Sequence, residues 1–251
     1  MMKDWSISDA YSEQKSDLLA LELGNNLYDT LNKQVPLARQ VQQLRQSFMQ
    51  THGFYVPAIR IKTTATSGDE YTIRVRGQRV GQAVLHPSLR FTTETEHTEG
   101  IRGIHPVTHQ PGFWNEDDGV PAHELLLNHV KSVMEQKSSE LLTYEIAFRW
   151  LQQAKSHVPN LLKELEKRGV TPGLIWQIMR KMLAQRIPLH PFEDLLETIM
   201  EYYIVHPPAG YAPPEWSQSH PDDIVKYIAA KKKKRLPQPG QTTAKIRHIK
   251  P

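Results

Sequence analysis

Leu37, Val41, Leu44 and Phe48 recur at spacings of four, three and four, which puts them on one face of a helix predicted from about Val35 to His52. Gly53 follows as its stop. The period then shortens to two. Ile59 and Ile61 alternate with Arg60 and Lys62, so a strand is predicted over Tyr55–Lys62. Tyr71, Ile73 and Val75 alternate with Thr72, Arg74 and Arg76, and Val80–Leu85 can return as a partner strand around a turn at Gly77 and Gln78. From Pro87 to Val120 no period holds, and this stretch, rich in Thr, His, Gly and Pro, reads as an irregular subdomain or long loop. After Pro121 the helical period returns in successive apolar stripes. Pro159, Pro172, Pro191 and Pro221 each mark a helix start, where a missing N–H costs no intrahelical bond. Thr171 and Ser219 read as N-caps, and a last short helix is predicted over Asp222–Ala230.

Composition adds limits. The chain has 251 residues, room for one large domain or two small ones, and no window approaches the roughly 18 consecutive apolar residues of a membrane span. The first residues lack the apolar core of a secretory signal. With no cysteine, disulfides and thiol chemistry are excluded. These features fit a cytoplasmic protein. The formal charge of +4 is unevenly placed, because residues 231–251 hold eight Lys and Arg and no acid. The remainder has 23 basic against 27 acidic residues. Residues 1–17 and the basic segment 231–251 are both predicted to be disordered.

Candidate chemistry is sparse. His105 and His109, and His123 and His129, offer imidazoles for zinc, against the simpler reading of solvated loop histidines. Glu197 and Glu201 stand four apart on one helix and read as a solvated face rather than an acid/base pair. No nucleophile elbow, phosphate loop or dinucleotide fingerprint occurs, so no enzyme and no cofactor is expected. The run Lys231, Lys232, Lys233, Lys234 and Arg235 reads either as a solvated tail or as a contact for nucleic acid or an anionic membrane surface. The paired rings Phe113 and Trp114 either anchor their loop to the core or line a cleft.

Five segments carry a resemblance. They are LALELGNNL (Leu19–Leu27), LRQSFMQTHGFYVPAIRI (Leu44–Ile61), YTIRVRGQRVGQAVLHPSLR (Tyr71–Arg90), NHVKSVMEQKSSELL (Asn128–Leu142) and the run Ala184–Tyr203. In this order they resemble the cytoplasmic domain of the FHIPEP family, the FlhA/LcrD/SctV-type export gates of flagellar and type III secretion systems. The resemblance implies an α+β fold: a thioredoxin-like α/β subdomain (18–87 and 121–141), a small inserted subdomain (88–120) and an all-helical subdomain (142–230). It implies a non-enzymatic role in protein export. The expected partners are export chaperones with their cargo, the export ATPase apparatus, a full-length membrane gate protein, and further copies in a ring. A small-molecule substrate and nucleic acid are not expected. The family's cleft motif D-P-A-F falls on Gln110, Pro111, Gly112 and Phe113, and its facing threonine falls on Asn128. Gln110, Pro111, Phe113, Trp114 and Asn128 are therefore the implied partner-binding residues. Against the family pattern, the N-terminal membrane region and the C-terminal α/β subdomain have no counterpart here, and the segment after the cleft motif is short. The implied location is cytoplasmic, with recruitment to the inner membrane through partners rather than a membrane span of its own.

Overall fold

The computed structural model describes residues 17–64, 68–93, 99–207 and 221–235. Its first sheet is built around β1 (Leu19–Gly24), in which Leu19, Leu21 and Leu23 are fully buried and Ala20 nearly so. An apolar run without strict alternation suits a strand covered on both faces. Two helices follow, α1 (Asn25–Gln34) and α2 (Leu37–His52), and α2 buries Leu37, Val41 and Phe48 on the predicted face. Gly53 ends α2 in the left-handed conformation, and its N–H donates to Met49 O at 2.8 Å.

The strand expected over Tyr55–Lys62 begins only at Arg60, as β2 (Arg60–Thr64). Pro57 cannot donate to a ladder. Phe54, Val56 and Ile59 enter the core from extended chain instead. β3 (Glu70–Val75) and β4 (Gln78–Val84) form the expected hairpin. Its turn lies one residue earlier than predicted, at Arg76 (φ +50°) and Gly77 (φ +78°). Positive φ at both central residues matches the twist of the flanking strands. The sheet order is β2-β1-β3-β4, with β2 parallel to β1 and the other pairs antiparallel.

The stretch expected to be irregular is a second sheet. It comprises β5 (Arg90–Thr93), β6 (Ile101–Ile104), β7 (Pro111–Asn115) and β8 (Val120–Pro121), all antiparallel, in the order β6-β7-β5-β8. Strands this short, carrying Gly and Thr, leave little period to detect. The chain then returns to the first sheet in α3 (Ala122–Gln136), which packs on β4 and α2.

The remainder is helical: α4 (Ser138–Leu141), α5 (Tyr144–His157), α6 (Pro159–Lys167), α7 (Pro172–Ala184), α8 (Phe192–Val205) and α9 (Pro221–Arg235). Thr171 caps α7 as expected, accepting from Leu174 N, and Thr143 does the same for α5 through Ile146 N. Ser219 lies outside the described residues. α7 is the hub, packed against α4, α5 and α9. The α+β architecture is therefore two four-stranded sheets followed by helices, with one hydrophobic cluster running from Leu19 to Ile228.

α9 corrects the sequence reading of the basic segment. It continues past Ala230 to Arg235, so the segment 231–251 does not begin as a disordered tail. Ile224, Val225 and Ile228 are buried. Lys231 pairs with Glu201, so that carboxylate is not merely solvated. Lys232 Nζ donates to Pro188 O at 2.6 Å and His190 O at 3.0 Å, and Lys181 pairs with Asp222. Residues 236–251, and the side chains of Lys234 and Arg235, lie outside the described residues. No helix among the described residues is long and apolar enough to cross a membrane.

Candidate partner-binding site

A groove of about 460 Å³ opens between the two sheets. One wall is the outer part of the first hairpin, including Glu70, Gln82 and Val84. The other is β6 with the following turn, Arg102 to Pro106. Trp114 and His86 line it as well. A second hollow of about 250 Å³ continues along β4 from Val80 to Gln82, and shares Gln82, Pro106 and His109 with the first. Its lining also includes His129 and Ser132 from α3.

Trp114 is 2% exposed and Phe113 6%, so both rings are largely core. As neighbours on one strand they leave opposite faces of the sheet. Trp114 sits edge-on to Phe91 (5.3 Å between centroids) and to His86 (5.4 Å). Phe91 is its register partner across β5 and β7. Phe113 lies under the Arg102 guanidinium, 5.8 Å from its centroid. Gln110 and Pro111 are exposed at the start of β7, and Asn128 is exposed on α3. Of the five expected site residues, only Trp114 lines the groove. Two side chains that the sequence reading passed over are more accessible there: Val84 at 58% and Ile104 at 64% exposed. Their signal was partial, since each is an aliphatic residue at the last position of its strand.

The histidines are not simply solvated. His129 is buried on α3, and its Nδ1 lies 2.6 Å from the Tyr71 hydroxyl. Burial holds this imidazole below its ordinary range, and the nearby His109 and His105 push the same way. Burial also raises the Tyr71 phenol. His105 closes the turn before β7: its Nδ1 accepts from Val107 N and Thr108 N, both at 3.2 Å, so that nitrogen carries no proton. Burial lowers His105, with His109 again contributing. No group of three His, Asp or Glu among the described residues converges on a point where a metal ion could sit. The groove thus offers apolar side chains, Arg102, and a single carboxylate, Glu70, as a surface suited to a polypeptide.

Comparison with known proteins places this architecture. The flagellar biosynthesis protein FlhA of Buchnera aphidicola subsp. Schizaphis graminum is 24% identical over 219 residues, covering 79% of this chain and 32% of the relative. The chain therefore spans about a third of the length of this curated relative. The Chlamydia pneumoniae CdsV protein superposes with a TM-score of 0.70 at 16% identity, covering 85% of this chain and 65% of that one. CdsV has also been solved in complex with CdsO, and that match has a TM-score of 0.67 at 17% identity, covering 85% of this chain and 65% of that one. Nonameric EPEC SctV-C matches with a TM-score of 0.61 at 11% identity, covering 84% of this chain and 64% of that one. The FHIPEP family model matches residues 3–209, most of the sequence, and the chain accordingly belongs to the FHIPEP family.

Proposed function

We propose that this chain is a non-enzymatic docking component of a flagellar or type III protein export apparatus. It acts in the cytoplasm and receives export chaperones with their cargo, or other apparatus proteins, in the groove between its two sheets. The observation that carries this reading is the juxtaposition of exposed Val84 and Ile104 with the Trp114 edge in one groove, in a chain of this family. The relatives support partner binding and assembly as a class, because one is solved with a second protein and another as a nonamer. Gln110 and Asn128 are exposed and extend the candidate surface beside the groove. Trp114 lines the groove, and Phe113 packs on the opposite face of the same strand. The anionic-surface alternative is weakened by α9, where Lys231 and Lys232 are engaged within the fold.

Capture of export chaperones or full-length gate protein by the immobilised chain tests the reading. Val84→Asp and Ile104→Asp should leave the chain folded, because both side chains face solvent, at a cost of about 1 kcal/mol for strand Asp and, at Val84, its repulsion from the facing Glu70, and reduce capture about tenfold or more. No enrichment by the unaltered chain, or equal capture by both variants, would overturn it. Substituting Phe113 or Trp114 instead would confound binding with lost packing.

A further inference from the structure

β4 pairs with β3 along one edge only, and among the described residues no backbone hydrogen bond joins its other edge to another segment. That free edge runs along both hollows: Val80, Gly81 and Gln82 line one, and Gln82, Ala83 and Val84 the other. The β3–β4 register is regular from Gly81 to Val84 and shifts only beyond it, at Val80. The opposite wall is itself chain in extended form, β6, whose outer edge is also unpaired in the sheet order. A row of backbone donors and acceptors left open beside an apolar trough is a template for another strand.

We infer that β4 is a strand-addition site: an extended, acidic and apolar segment of a partner polypeptide adds to its free edge as the fifth strand of the first sheet. Backbone hydrogen bonds to Gly81–Val84 supply register. Alternate apolar side chains of the segment pack on Val84, Ile104 and the Trp114 edge. Charge selects the acidic class. Arg79 stands on β4 and Arg102 lines the facing wall, against the lone carboxylate of that lining, Glu70. This inference rests on the docking role proposed above, and specifies the form in which the partner binds.

The test uses the full chain, isotope-labelled, and a synthetic peptide alternating valine with glutamate. Binding should slow hydrogen exchange of amides within Val80–Val84 about tenfold or more. N-methylation of every second peptide residue, which removes backbone donors and keeps the side chains, should weaken binding about tenfold or more. Arg102→Glu should weaken binding of this peptide about tenfold or more and favour a counterpart that alternates valine with lysine. No binding, binding indifferent to N-methylation, or no added protection on β4, as a helix seated in the groove would give, each overturns strand addition. The two readings fail separately. Capture of export components without protection of β4 removes strand addition and leaves the docking role. Peptide addition to β4 without capture of any export component does the reverse.

Discussion

Gly81 is where a single hydrogen atom decides whether the groove wall holds. A Cβ at this position would lie 2.7 Å from His129 Nε2, and His129 is fixed from its other side by Tyr71. Gly81→Ala should therefore cost about 1–3 kcal/mol by overpacking, read as a lower urea midpoint. The same imidazole sets a pH dependence. Its folded-state pKa is depressed, first by burial, so the folded chain keeps the neutral ring. Below the unfolded-state value of about 6.5 the unfolded chain takes up a proton that the folded chain refuses. This part of the stability is complete above that pH and is lost progressively on acidification until the lower folded-state value is passed. His52 and His105, also lowered chiefly by burial, act with the same sign. Melting temperature should fall between about pH 7 and pH 5, and His129→Gln should make the slope shallower. An unchanged slope would assign the effect elsewhere.

At the scale of elements, α9 makes the sharpest prediction. Ile228 is buried whereas Lys233 is exposed on the same helix. Ile228→Ala should cost about 2–5 kcal/mol, and Lys233→Ala less than about 0.5 kcal/mol, measured by chemical denaturation. If both are neutral, α9 does not dock. Other elements show which signals the sequence carries. α2, the β3–β4 hairpin and the proline-marked helices are legible because their apolar periods are long and their ends are chemically marked, as by the stop at Gly53 and the N-cap at Thr171. Periodicity does not reveal β1, since a strand buried on both faces does not alternate. β5 to β8 were hidden because each is only two to five residues long. The extension of α9 was hidden because Lys231 and Lys232 are held by partners distant in sequence, Glu201 and the carbonyls of Pro188 and His190. The groove was legible only in part. The resemblance pointed to β7, but which side chains reach the hollow depends on strand alternation and on how β4 faces β6.

Across the whole molecule the first sheet and the helices behave as one body. Leu189 N donates to His52 O at 2.9 Å, and Gly53 sits so close to His190 that an added Cβ would lie 2.4 Å from its backbone nitrogen. Gly53 also holds φ at +67°. Gly53→Ala should cost more than about 1 kcal/mol and shift unfolding as a whole. Far-ultraviolet circular dichroism and tryptophan fluorescence should report coincident transitions. Two separate transitions would show that the continuous core from Leu19 to Ile228 does not couple its parts. The Tyr71–His129 contact lies within that core and supplies a reporter of its integrity. Burial holds the Tyr71 phenol well above the ordinary tyrosine range. An alkaline spectrophotometric titration of the native chain should therefore fall short by at least one phenolate, and the missing absorbance should appear only as the backbone gives way.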